Sequence, residues 1–269
     1  MTKSILVLAL LSLYPARAAW AQIAPANAQG VAMGHLHFFV KDVDAYQKMF
    51  VAMGGVAITH NSGVKFPGAI MYLRQGNPTS PMVGSVVGHV GFIVPHTMAA
   101  LAKWKAAGLK TEVGTLPAQG YVYTPDDFLK IEILQDTTLT VPIAFHHIHF
   151  FVPDPAQGGG SGVKDIQAWY AKVFGAIPGM RGKFDAAALP GVSLTFSKSD
   201  TPTVPTEGHS LDHIGFEVNG LQAFCEKQTA LGVKFDSPCT KPADSKSLHV
   251  FLTDPWGTKI ELTSDMREY

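Results

Sequence analysis

The chain has 269 residues with 21 basic and 21 acidic side chains, a formal charge of zero, and an apolar share of 46%. A balanced charge without long runs of one sign excludes the electrostatic footprint of a nucleic-acid binder or a membrane-surface protein. The apolar share is ample for one large core or two ordinary ones.

At the N-terminus, Lys3 precedes an apolar run from Ile5 to Leu13 that is too short to cross a bilayer, and Ala19-Trp20-Ala21 supplies the small residues of a cleavage point. Residues 1–21 are therefore expected to be a signal peptide and residues 22–32 an N-terminal tail. The mature protein is expected to be periplasmic or secreted, with no membrane contact. Export makes a disulfide chemically possible. Cys225 and Cys239 are then either bridged or two small buried side chains.

The first strand-like stretch, Gly34-His35-Leu36-His37-Phe38-Phe39-Val40-Lys41-Asp42, returns as His146-His147-Ile148-His149-Phe150-Phe151-Val152-Pro153-Asp154. The repeat continues: Tyr46 answers Tyr170, Phe50 answers Phe174, and Pro67-Gly68 answers Pro190-Gly191. His89-Val90-Gly91-Phe92 then answers His213-Ile214-Gly215-Phe216, and Lys130-Ile131-Glu132 answers Lys259-Ile260-Glu261. The offset grows from 112 to 124 across Pro155 to Ile166, a segment with the glycine-rich run Gly158 to Gly162, which reads as a loop insertion. Two copies follow, 33–137 and 144–269, joined by a linker at 138–143 within the threonine-rich stretch Gln135 to Pro142.

Within each copy a histidine-led strand precedes an amphipathic helix and then short strands, twice over. Helices are predicted over Val43 to Met53, Thr97 to Ala107, Lys164 to Phe174 and Leu221 to Leu231, ending near Gly54, Gly108, Gly175 and Gly232. The fold class expected is α+β, with four such units in pairs, because none alone can bury its apolar face.

Three residue types with metal-ligand chemistry recur at matched places: His35, His89 and Glu132 in the first copy, and His147, His213 and Glu261 in the second. Two neutral imidazoles and a carboxylate suit Fe(II), Mn(II) or Zn(II) and leave positions open for substrate or water. His37 and His149 lie two residues further on, so on a strand they share a face with the proposed ligands. Phe150 and Phe151 are expected in the core.

These strands, with Asp254-Pro255-Trp256-Gly257-Thr258-Lys259-Ile260-Glu261-Leu262, resemble the vicinal oxygen chelate superfamily, which includes glyoxalase I, extradiol dioxygenases, fosfomycin-modifying enzymes and bleomycin-binding proteins. The resemblance implies paired βαβββ modules in mixed, curled sheets with flanking helices, two glyoxalase-like domains per chain, and a metal on the inner wall of each. It implies that each copy assembles its own three ligands, with the second copy's site the better formed. The fourth, carboxylate ligand of glyoxalase I has no equivalent, since neither Ala69 to Arg74 nor Val192 to Ser197 contains Asp or Glu.

The two-histidine, one-glutamate set is similar to that of extradiol dioxygenases, where Fe(II) brings a catecholate and O₂ together. Those enzymes usually carry an acid-base histidine where this chain has Ser197, Lys198 and Ser199, and a tyrosine where it has Phe251. His249 stands as the substitute proton donor. The expected partner is a small-molecule substrate with vicinal oxygens. Isomerisation, lysis or thiol transfer on the same ligands, and metal-free sequestration of a small molecule, are the rival readings.

Overall fold

The computed structural model describes residues 23–59, 62–153, 162–240 and 248–264. The segment expected to be a signal peptide, the glycine-rich part of the insertion, and Asp154 lie outside these residues. Among those described, no helix is long and apolar enough to cross a membrane.

Four units follow in order. The first is β1 (Val31–Val40), α1 (Val43–Met53), β2 (Val56–Ile58), β3 (Gly63–Phe66) and β4 (Ala69–Gln75); the second is β5 (Val87–Val94), α2 (Thr97–Ala106), β6 (Thr111–Val113), β7 (Gln119–Tyr123) and β8 (Lys130–Gln135). The third is β9 (Ala144–Pro153), α3 (Val163–Phe174), β10 (Ile177–Arg181), β11 (Phe184–Leu189) and β12 (Val192–Ser199); the fourth is β13 (Leu211–Val218), α4 (Leu221–Ala230), β14 (His249–Thr253) and β15 (Lys259–Thr263). The α+β reading and the four-unit repeat hold, and the four helices fall within a residue of the ends predicted for them.

Local chemistry explains several repeated residues that are not functional. Asp42, which closes the H-x-H-F-F-V-x-D motif, is the N-cap of α1 and accepts from the Ala45 amide. Gly54 ends that helix in the left-handed region at φ 118°, which a β-carbon would disfavour.

The sheets do not follow the two copies. One has seven strands in the order β14-β15-β13-β1-β4-β3-β2, so it joins the first unit to the fourth; the other has eight, β10-β11-β12-β9-β5-β8-β7-β6, and joins the second to the third. In each, the two histidine-led strands lie antiparallel at the centre, β1 against β13 and β5 against β9. Their burial is nearly continuous, as expected of strands with helices on one face and a cavity on the other. Phe38, Phe50, Phe92, Phe150, Phe174 and Phe216 fill the helix side.

The sheets meet through reciprocal turns. Pro67, between β3 and β4, accepts from the Phe145 amide on β9, while Pro190, between β11 and β12, accepts from the Met33 amide on β1. This explains the duplicated Pro-Gly pairs: each turn docks on the leading strand of the opposite sheet.

Candidate metal centres

In the eight-stranded sheet, β5 supplies His89, β8 supplies Glu132 and β9 supplies His147. His147 Nε2 lies 2.9 Å and His89 Nε2 3.5 Å from Glu132 Oε2. None of these three buried atoms has a hydrogen-bond partner. An unsatisfied buried polar atom is costly, and three of them facing one another fit a shared cation. Gly91, opposite His147 on β5, makes the arrangement possible: a β-carbon there would stand 2.0 Å from His147 Cε1. The glycine of H-V-G-F is thus the cradle of an imidazole from the neighbouring strand.

The seven-stranded sheet repeats the construction with His35 from β1, His213 from β13 and Glu261 from β15. His35 and His213 point Nε2 at Glu261 Oε2, at 2.7 and 3.1 Å. Gly215 cradles His35 as Gly91 does His147, with a β-carbon 2.1 Å from His35 Cε1.

This corrects the expectation that each copy assembles its own ligands. His147 does not join His213 and Glu261; it joins His89 and Glu132, and His35 takes the place beside the later pair. The physical cause is strand register. His147 pairs with Gly91 across β9 and β5, and His35 with Gly215 across β1 and β13.

The fourth corner of each site falls on the strand parallel to the leading one. Thr195 on β12 stands opposite His149, and Tyr72 on β4 opposite His37. No carboxylate comes from either strand, so neither site gains a second carboxylate ligand.

His249, expected as a proton donor, stands against Glu261. Its Nδ1 lies 2.7 Å from Glu261 Oε1, so it holds the outer oxygen of the proposed ligand. Its counterpart escaped sequence reading: the Gln119 amide donates to Glu132 Oε1 from the matching position on β7. One signal was available, since Gln119 lies 13 residues before Glu132 and His249 12 before Glu261, each two residues ahead of the residue paired with its glutamate. Their residue types differ, so a search for repeated ligands passes over them.

His149 has its Nε2 2.7 Å from Ser197 Oγ and stacks on Phe151 at 4.9 Å between centroids. Phe151, expected in the core, instead lines a cavity of about 380 Å³ with Gly88, His89, Tyr121, Lys130 and Ser199. Its alternation partner Phe150 is fully buried, as predicted.

The electrostatics favour ligation. Burial lowers His147 to about 3 and His149 to about 2, so both are neutral donors at pH 7. Burial would raise the Glu132 carboxyl, but the imidazoles of His147 and His89 and the Gln119 amide hold it well below the usual carboxylate range. Burial likewise opposes the Glu261 anion, and His213, His249 and His35 outweigh it. At His213 burial disfavours the cation, yet Asp212 and Glu261 raise it overall.

Three βαβββ units and a fourth with two strands after its helix among the described residues, paired into two sheets that each gather imidazole and carboxylate donors, have the fold of the vicinal oxygen chelate class of protein. Residues 161–262 match the family described as the Glyoxalase/Bleomycin resistance protein/Dioxygenase superfamily. That match covers 102 of the 269 residues, and the likeness of fold extends over most of the chain. Glyoxalase I from Zea mays is similar over 88% of this chain and 94% of that chain, with a TM-score of 0.67 at 16% identity. A Bacillus subtilis protein provisionally assigned as a dioxygenase is similar over 91% and 86%, with a TM-score of 0.60 at 14% identity. These are likenesses of fold. No curated protein is a detectable relative by sequence.

Proposed function

We propose that the protein is an exported, metal-dependent enzyme that oxygenates a small aromatic diol, with its active site in the eight-stranded sheet. The observation that carries this reading is the convergence of His89 Nε2, His147 Nε2 and Glu132 Oε2, buried and otherwise unpartnered, beside a cavity that takes one small molecule. A divalent cation held there, Fe(II) before Mn(II) or Zn(II), would supply Lewis acidity and a template for vicinal oxygens.

The chain's own residues do the rest. Phe151 and Tyr121 give the cavity flat walls for a ring, and Lys130 gives it a cation. His149 brings an imidazole to Ser197, on the strand where the acid-base histidine of extradiol enzymes is absent from the sequence. Burial holds it neutral, and its ring stacks on Phe151, the wall of the cavity. The Cys225–Cys239 disulfide supports export, because such bonds persist in oxidising compartments.

The test is anaerobic reconstitution with Fe(II) followed by O₂ uptake on a panel of catechols. Uptake is expected in the wild type and is expected to vanish in His89→Ala. A metal-loaded protein that consumes no O₂ with any diol overturns the oxygenase reading. Anaerobic turnover of a hydroxycarbonyl substrate would then favour isomerisation, which the same ligands would serve. A protein that takes up no metal would favour sequestration.

A further inference from the structure

Each centre has a histidine two residues beyond its leading ligand, and the two are committed differently. In the seven-stranded sheet, one donor atom each from His35, His37, His213 and Glu261 lies within 4.8 Å of all the others, a single four-donor group. In the eight-stranded sheet, the group of that spacing contains His89, His147 and His149 without Glu132, and His149 is held by Ser197. Among the described residues, the first group gathers four donors including its glutamate, while the second gathers three without its glutamate and lies at the cavity that His89 lines.

The surroundings differ in the same sense. His213 Nδ1 lies 2.7 Å from Asp212 Oδ2, a carboxylate that orients the ring and strengthens its other nitrogen as a donor. Asp212 in turn accepts from the Gly208 amide. At the corresponding place before His89 stands Gly88, and it cannot be otherwise: a β-carbon there would lie 2.4 Å from the Phe151 ring. The position that gives one histidine its orienting carboxylate gives the other site room for a substrate wall.

We infer that the two centres are not equivalent: His35, His37, His213 and Glu261 form a closed site that holds a zinc-class cation as a staple, while the other centre exchanges its metal and does the chemistry. Structural zinc sites are four-coordinate and closed, whereas catalytic sites keep a position open. The staple joins β1 to β13 and β15, strands from the two ends of the chain, so its metal contributes to folding stability. The inference rests on both clusters binding metal, but not on the oxygenase reading.

The experiment loads the full chain with Zn(II) or Co(II) and follows metal release to EDTA. Two equivalents are expected, one leaving at least about tenfold more slowly than the other, as loss of an orienting carboxylate usually costs 10- to 100-fold in affinity. His89→Ala should remove the fast equivalent alone. His37→Ala and Asp212→Asn should convert the slow equivalent to a fast one, and the melting temperature should fall only as the slow equivalent leaves. Should His37→Ala fail to fold, His37→Gln and the Co(II) spectrum carry the test, because a four-coordinate site gives an intense visible band that His89→Ala leaves in place. Equal release rates, a slow equivalent that survives His37→Ala or His37→Gln, or a band lost in His89→Ala would overturn the inference. Failure to consume O₂ with diols leaves these rates untouched, so the two readings fail separately.

Discussion

Among the described glycines the narrowest tolerance is at Gly91, where the ring of His147 packs against bare backbone. Gly91→Ala is expected to cost roughly 1 to 3 kcal/mol through overpacking and to displace the imidazole. Elemental analysis should find the metal of the eight-stranded sheet lost and that of the other retained. Gln119 predicts a subtler effect. Without its amide the outer oxygen of Glu132 loses its partner, so Gln119→Ala should weaken metal binding by about 10- to 100-fold while denaturant unfolding changes little, as metal titration beside urea melts would read. At this scale the donor types were legible in the sequence, because His35, His89, Glu132 and their counterparts recur in order. Their grouping was not. The motifs of β1 and β9 are nearly identical and either would lie in either glycine cradle, so only the register across β1–β13 and β5–β9 shows which ring lies on which glycine.

Among the elements, helix positions follow from amphipathic spacing and terminal glycines, which act locally and so can be read locally. The contacts that hold helices to distant turns cannot. Tyr170 on α3 donates to Asp254 Oδ2 at 3.0 Å, and Tyr46 on α1 donates to Asp126 Oδ1 at 2.6 Å, ties that repetition hinted at without naming the acceptor. Asp254 also accepts from the Trp256 and Thr258 amides in the D-P-W-G turn. Burial raises its carboxyl to about 6, and these hydrogen bonds offset only part of that effect. Because the folded value exceeds the unfolded one, the folded state binds the extra proton. The associated stability is complete below about pH 4 and is lost as pH rises through 6, on the order of 3 kcal/mol. Urea unfolding of the wild type against Asp254→Asn between pH 4 and pH 7 checks this. The wild type should lose stability relative to the variant as the pH climbs.

At the scale of the whole molecule, the repeat and the number of units could be read from sequence, but the pairing of units could not. Four similar modules can pair first with second or first with fourth, and both choices bury the same apolar faces. The bridge between Cys225 and Cys239 was likewise open until their Cα atoms were placed 6.1 Å apart, linking α4 to the segment that follows it. It closes a loop of 14 residues, so reduction is expected to lower stability by about 3 kcal/mol, seen as a drop in melting temperature with dithiothreitol that Cys225→Ser reproduces without it. The pairing of units also bears on the order of assembly. Every strand from β5 to β12 belongs to a single sheet drawn from one uninterrupted run, Val87 to Ser199, whereas His35 and Glu261 must find each other across 226 positions. Closing the shorter loops costs less entropy, so the inner half of the polypeptide can organise first and serve as the template on which the two outer arms clasp.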